Sequence, residues 1–241
     1  MPLPAALVTG GARRIGRAIV EDLARNGWAV AIHCHASRDE ADMLASEIAA
    51  ADGKAGVVLG DLADLPAATG IVEAAAKALG PLTLLVNNAS IFEKDTVGHL
   101  DAGLWQRQMT VNLAAPVFLA EAFARQVPPD AEGNIVNLID QRAFRPTPDH
   151  FSYQLSKSAL LTATEILARA LAPRIRVNGI APGPVLPSAH SNPEAFSRHV
   201  AALPLQRKPD LAEFGRTVRY FVENRSITGQ TIALDGGQRL G

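Results

Sequence analysis

Seven short runs of apolar, β-favouring residues recur along the 241-residue chain: 5–9 (AALVT), 28–33 (WAVAIH), 55–59 (AGVVL), 82–86 (LTLLV), 134–139 (NIVNLI), 175–178 (IRVN) and 230–234 (QTIAL). Several are apolar throughout instead of alternating, the pattern of strands covered on both faces, as in parallel sheets. Longer segments of helical period lie between them. In IVEAAAKAL, Ile71, Ala75 and Leu79 fall on one face, and Gly80-Pro81 ends the helix. Strands alternating with helices through right-handed crossovers predict an α/β, doubly wound, seven-stranded parallel sheet. The chain reads as a single domain over 1–241, without repeats or linkers. Its one Pro-rich passage, 181–196 (APGPVLPSAHSNPEAF), reads as a long loop, and a substrate loop is expected at about 184–200.

Composition then narrows the partner. With 48% hydrophobic and 20% charged residues the chain suits one buried core. Lys and Arg number 23 against 24 Asp and Glu, a net charge of -1, so no global field draws nucleic acid or an anionic membrane. The apolar run at 113–120, bounded by Asn112 and Glu121, is too short to span a bilayer. Cys34 is the one cysteine, and the opening MPLPAALVTGG lacks the basic region of an export signal. A cytoplasmic protein with a small-molecule partner is expected, and no metal is called for.

After the first strand comes TGGARRIGRAIVEDLA, glycines running into a helix. Backbone N–H groups at a helix N-terminus can take a pyrophosphate, but the G-x-G-x-x-G fingerprint is absent, and an ordinary structural turn has the same appearance. Thr9-Gly10-(three residues)-Arg14-Ile15-Gly16, Asn87-Asn88-Ala89, Asn112, Tyr153-(three residues)-Lys157 and Pro182-Gly183 follow one another in order. This series resembles the short-chain dehydrogenases/reductases over the whole chain. The resemblance implies a Rossmann-type fold and a nicotinamide cofactor held by Gly10, Arg13, Arg14, Ile15, Gly16, Leu62, Asn88, Ala89, Tyr153, Lys157, Pro182 and Gly183. It also places Asp61 against the adenine, a helix N-cap being an equally good reading. Family members are commonly tetramers, so a homotetramer is expected, with Arg239 in LDGGQRLG reaching a neighbour's substrate site. The threonine often found after Pro-Gly is Pro187 here, with Ser188 adjacent.

Arg14 stands where the family usually has glycine, and TGGARRIGRAI resembles the corresponding turn of pteridine reductases. NAD-selective folds end the second strand with an acid that binds the ribose 2′-OH. Here the strand ends IHCHASRDE, offering His33, His35, Ser37 and Arg38 with Arg13 and Arg14 nearby, a set that favours NADPH. Taken singly, the histidines also read as half-buried strand residues and Arg38 as a solvated helix start.

Tyr153 and Lys157, four apart, share a helix face, and the family resemblance makes them the proton-donating pair. A phenol titrates near ~10, and each unit of lowering needs about 1.4 kcal/mol, which the ammonium and a bound pyridinium are expected to supply. Asn112 is expected to hold a water in the proton path, or alternatively to bend the helix before Pro116. Asp140, ending NLIDQ, takes a place that is serine in most of the family. A carboxylate there opposes the charge of a reacting carbonyl by about 4 kcal/mol at ~4 Å and an effective dielectric of ~20. Reduction of a C=N bond starts instead from a cationic nitrogen, which an anion favours. Pteridine reductases carry a similar Asp–Tyr–Lys arrangement. The alternative is an Asp140 ion-paired with Arg142 or Arg145 and idle in catalysis. Ser90 and Phe92 follow Asn88-Ala89, and Phe92 is expected to roof a flat substrate whose polar edge meets Ser90 and Arg14, unless it simply packs.

The expected activity is therefore NADPH-dependent reduction of a dihydropterin or dihydrofolate C=N bond, with the proton from Tyr153 and Asp140. A generic carbonyl or 3-oxoacyl reductase is the alternative. A cofactor-binding scaffold without turnover is disfavoured by the intact Asn112, Tyr153 and Lys157.

Overall fold

Residues rich in Val, Ile, Leu and Ala form strands here because both faces of each find a helix to pack against. In the computed structural model, which describes residues 3–187 and 192–241, β1 (Ala5–Val8), β2 (Ala29–Cys34) and β5 (Gly133–Leu138) are buried at every position. They join β3 (Lys54–Leu59), β4 (Leu82–Asn87), β6 (Ile175–Pro182) and β7 (Thr231–Leu234) in one parallel sheet, ordered β3-β2-β1-β4-β5-β6-β7. The intervening helices are α1 (Arg14–Arg25), α2 (Arg38–Ala50), α3 (Leu65–Leu79), α4 (Ala102–Met109), α5 (Ala115–Gln126), α6 (Phe151–Leu171), α7 (Pro193–Ala201) and α8 (Leu211–Glu223).

Alternate strand residues face two separate apolar layers. Ala5 and Leu7 pack with Ile71, Val72 and Ala75 of α3 and Leu119 and Phe123 of α5. Ala6 and Val8 pack with Ile19, Val20 and Leu23 of α1, Leu44 of α2, and Phe214, Val218 and Phe221 of α8. This is the doubly wound arrangement the hydrophobic pattern predicts, and Gly80 ends α3 at the expected place.

Two expectations are corrected. β6 runs four residues further than the apolar run 175–178, through Gly179 to Pro182, because it lies between β5 and β7 and pairs along its length. The segment 181–196 is not all loop: α7 begins at Pro193, with Asn192 Oδ1 accepting from Glu194 N–H. Asn followed by Pro and Glu is an N-cap signal that the surrounding prolines obscured. Ser188 and the middle of the 184–200 segment lie outside the described residues.

The strand order turns back between β1 and β4, so the C-terminal ends of these neighbours diverge into a crevice. Thr9, Asn88, Asp140 and Pro182 all stand at or just beyond strand ends on this rim.

Candidate active site

The turn after β1 is held from below and from the side. Thr9 Oγ1 accepts from the N–H groups of Asn88 (2.9 Å) and Ala89 (3.0 Å), and Asn88 Nδ2 donates to Thr9 O (2.8 Å) and Gly10 O (3.0 Å). Gly10 takes a left-handed φ of 61°. At Gly16 a Cβ would collide with Gly10 O and Asn88 Nδ2, so only glycine lets α1 start this close to the turn. Arg14 also sits at a left-handed φ, 54°, a conformation that glycine takes without strain. Its guanidinium donates to Leu186 O (3.3 Å) and Pro187 O (3.2 Å), tying the glycine turn to the segment after β6.

Beneath the turn lies His33, 2% exposed. Gly10 N–H donates to its Nδ1 (3.3 Å), which makes Nε2 the protonated nitrogen, donating to Gly60 O (3.2 Å). Burial pushes its pKa down to about 4, against the pull of the Gly60 carbonyl, so the ring is neutral. His33 is therefore a strut under the turn, with neither nitrogen free for a phosphate. His35 is exposed, its Nε2 3.9 Å from Asp61 Oδ2. Asp61 Oδ1 accepts from Ala63 N–H (2.9 Å), while the N-cap of α3 is Asp64. Arg13 is exposed and paired with Glu40 of α2, and Arg38 pairs with Asp42 one helical turn on.

At the other end of the crevice, Tyr153 Oη donates to Asp140 Oδ2 at 2.8 Å. Asp140 Oδ1 accepts from Arg142 N–H (2.8 Å), and the Arg142 guanidinium stands 3.8 Å from Oδ2. Asp140 thus bonds the tyrosine and also faces Arg142, whereas Arg145 donates instead to Gln238 O. Lys157 is 2% exposed, with Nζ donating to Leu138 O (2.7 Å) and lying 5.9 Å from the Tyr153 ring centroid. Burial pushes its pKa down to about 8, against the opposing effect of Asp140.

The expected lowering of the Tyr153 pKa is not found in the protein alone. Burial raises it well above the ordinary phenol value, and the Asp140 charge and hydrogen bond add to the rise. A phenol sealed beside a carboxylate keeps its proton.

The loop after β4 supplies the third wall. Asn112, in a π-helical turn (Thr110–Ala114) just before Pro116, has its whole amide committed. Its Oδ1 accepts from Ile91 N–H (2.8 Å) and Ser90 Oγ (3.0 Å), and Nδ2 donates to Ile91 O (2.9 Å) and Ser156 Oγ (3.2 Å). The side chain clamps the 90–92 loop to α6, leaving little of it for a water. Phe92, 43% exposed, stacks on His150 with centroids 4.2 Å apart, meets Tyr153 edge-on at 4.7 Å and lies under the Arg142 guanidinium at 5.2 Å.

These groups border one cleft of about 840 Å³. The site residues expected from the sequence line it except Arg38, which pairs with Asp42, and Asn112, which is buried behind, with Val111 lining the cleft in its stead. The Arg239 guanidinium, expected at a neighbour's site, lies over Phe144 of its own chain, and Gln238 borders the cleft.

A family model described as short chain dehydrogenase matches residues 4–195. The chain belongs to the short-chain dehydrogenase family. It is similar to two crystal structures of FolM alternative dihydrofolate reductase 1, from Brucella canis and Brucella suis, each in complex with NADP. Both are 58% identical with a TM-score of 0.97, covering 99% of this chain and 94% and 96% of theirs. It is also 28% identical over 240 residues to the 3-oxoacyl-(acyl-carrier-protein) reductase FabG of Staphylococcus aureus, covering 98% of each.

As a short-chain dehydrogenase the protein carries features that no motif announced. His150, left-handed at φ 56° before α6, was unremarkable in sequence, yet its ring backs Phe92. Buried Asp95 accepts from Ser152 N–H through both oxygens (3.1 and 3.3 Å) and its carbonyl accepts from Phe151 N–H, capping α6 from a loop more than fifty residues away in sequence. No local pattern signals such a contact. Among the described residues no helix is long and apolar enough to cross a membrane.

Proposed function

We propose that this chain is an NADPH-dependent reductase of a C=N bond in a dihydropterin or dihydrofolate. The observation that carries the reading is the 2.8 Å hydrogen bond from Tyr153 to Asp140. The FolM dihydrofolate reductases at 58% identity support it, and their bound NADP supports the cofactor. The crevice fits such a cofactor. The first-turn N–H groups of α1 have no intrahelical partner, and their residues Arg14, Ile15 and Gly16 line the cleft to receive phosphates, alongside Gly10. Arg13, His35 and Ser37 would hold a 2′-phosphate, with Arg13 exchanging Glu40 for it. Asp61 and Leu62 would border the adenine, and Asn88, Ala89, Lys157, Pro182 and Gly183 the nicotinamide end. Bound NADPH supplies the hydride.

The chain's own residues do the rest. Asp140 places a negative charge where the substrate nitrogen becomes positive, and the Tyr153 hydroxyl, which donates to Asp140 in the protein alone, would turn its proton to that nitrogen. When the nitrogen takes that proton, Lys157 offsets the charge left on the phenol. One hydride and one proton thus convert C=N to CH–NH, and the Asp140 route resupplies Tyr153. Ser90, Phe92 and Arg14 would hold the flat substrate. A ketone reductase is the second reading, supported by the FabG relative at 28% identity, and Asp140 speaks against it.

We further propose one domain over 1–241 with the 184–200 segment over the substrate, a cytoplasmic location, and a homotetramer in which exposed Phe118 of α5 and Leu155 and Ile166 of α6 become covered. Light scattering tests the assembly. Loss of NADPH absorbance with a dihydropterin, an acetoacetyl thioester and no substrate tests the activity: consumption is expected with the dihydropterin, and faster turnover of the thioester overturns the reading.

A further inference from the structure

We infer that Arg142 is a positioning and specificity residue for this site, one guanidinium setting both the Asp140 carboxylate and the Phe92 ring against which a flat, cationic substrate lies. The inference rests on the dihydropterin reading above. Asp140 is fixed at both oxygens by groups of known origin: Oδ1 by the Arg142 N–H, and Oδ2 by Tyr153 Oη at 2.8 Å, with the Arg142 guanidinium at 3.8 Å. The charged and titratable groups around it are Tyr153 and Lys157 from α6 and Arg142 from the short 3₁₀ turn Gln141–Ala143. Of these, Arg142 is the cation that also reaches the substrate wall. Its Cζ lies 5.2 Å from the Phe92 centroid, and its side chain is 28% exposed, enough screening from water for the ring contact to matter.

Arg142 is a second brace on Phe92, beside the His150 ring stacked at 4.2 Å. Phe92 stands in the segment between β4 and α4 and borders the cleft, with 43% of its surface exposed. A planar guanidinium stacks on an aromatic face while keeping its charge beside a carboxylate, and a lysine ammonium reproduces the charge without the flat contact. Charge and ring support are therefore separable by substitution. The charge serves the reactive anion and so kcat, and the ring support preforms the binding wall and so KM.

The test compares the full-length parent with Arg142→Met and Arg142→Lys, using NADPH and a dihydropterin, with thermal unfolding as a control. Arg142→Met is expected to lower kcat about tenfold and raise KM about fivefold, and Arg142→Lys to recover kcat to within about twofold while KM stays raised. Both constants of Arg142→Met within about twofold of the parent overturn the inference, as does a lysine variant that recovers KM without kcat. If Arg142→Met does not fold, the lysine variant decides alone: raised KM with kcat kept supports the inference, and unchanged KM overturns it. A parent inactive on the dihydropterin but active on the acetoacetyl thioester sinks the substrate reading separately. The same comparison on the thioester then decides Arg142, an unchanged kcat in Arg142→Met overturning it.

Discussion

Arg14 puts a side chain at a left-handed φ of 54°, and replacing it with glycine separates its backbone cost from its use. A non-glycine residue in this region costs about 1–2 kcal/mol, which Arg14→Gly recovers. Against that stand two exposed hydrogen bonds, to Pro187 O at 3.2 Å and Leu186 O at 3.3 Å. Each contributes about 0.5–1.5 kcal/mol, and glycine adds about 0.5–1 kcal/mol of chain entropy to the unfolded state. The mid-range values leave a net loss of about 1 kcal/mol, so the thermal midpoint should fall by about 2–5 °C. Substrate binding has no such compensation. Loss of one charged hydrogen bond to the substrate's polar edge is worth about 1.5–3 kcal/mol, so KM for a dihydropterin should rise at least about tenfold. Differential scanning fluorimetry and steady-state kinetics measure the two quantities on the same preparation. A fall in the midpoint beyond about 8 °C, or an unchanged KM, refutes the reasoning.

Asp95→Ala removes the cap on α6, whose first turn carries Tyr153; it should cost about 1–2 kcal/mol in urea unfolding and lower kcat while NADPH affinity, read by fluorescence titration, stays the same. An equal loss of NADPH affinity would point to general damage instead. His33 has a folded pKa of about 4 against about 6.5 unfolded, so the unfolded chain binds the extra proton between these values. Its contribution, about 3 kcal/mol, is whole above pH ~6.5 and drains away as the pH falls towards ~4. Urea midpoints across that range should therefore fall more steeply for the parent than for His33→Gln, and parallel curves would show that the ring is not held neutral.

Much of this was legible because it depends on local pattern. Short apolar, β-favouring runs marked the seven strands of the sheet, and the glycine turn, Asn88, Tyr153 and Lys157 stand on elements whose ends the sheet brings together. Asp140, thirteen residues before Tyr153, was readable as an oddity of type at a strand end, and the two do meet. What escaped depends on tertiary placement. Burial, a property of the packed fold, reverses the direction expected for Tyr153 and makes His33 a strut. Glu40 reaches Arg13 only because α2 starts beside the first turn, and Asp95 reaches α6 only because its loop folds back over that helix. The extension of β6 comes from its neighbours on both sides, which its own Gly179 and Pro182 do not announce.

The central claim is that the carboxylate hydrogen-bonded to Tyr153 selects an electrophile that is itself cationic. Asp140→Ser, assayed in parallel with NADPH on a dihydropterin and on a ketone, addresses it most directly. The account predicts that kcat/KM for the dihydropterin falls about a hundredfold while ketone reduction rises, because a proton route is lost and a repulsion is removed. Better dihydropterin turnover in the serine variant, with ketone reduction unchanged, would contradict it.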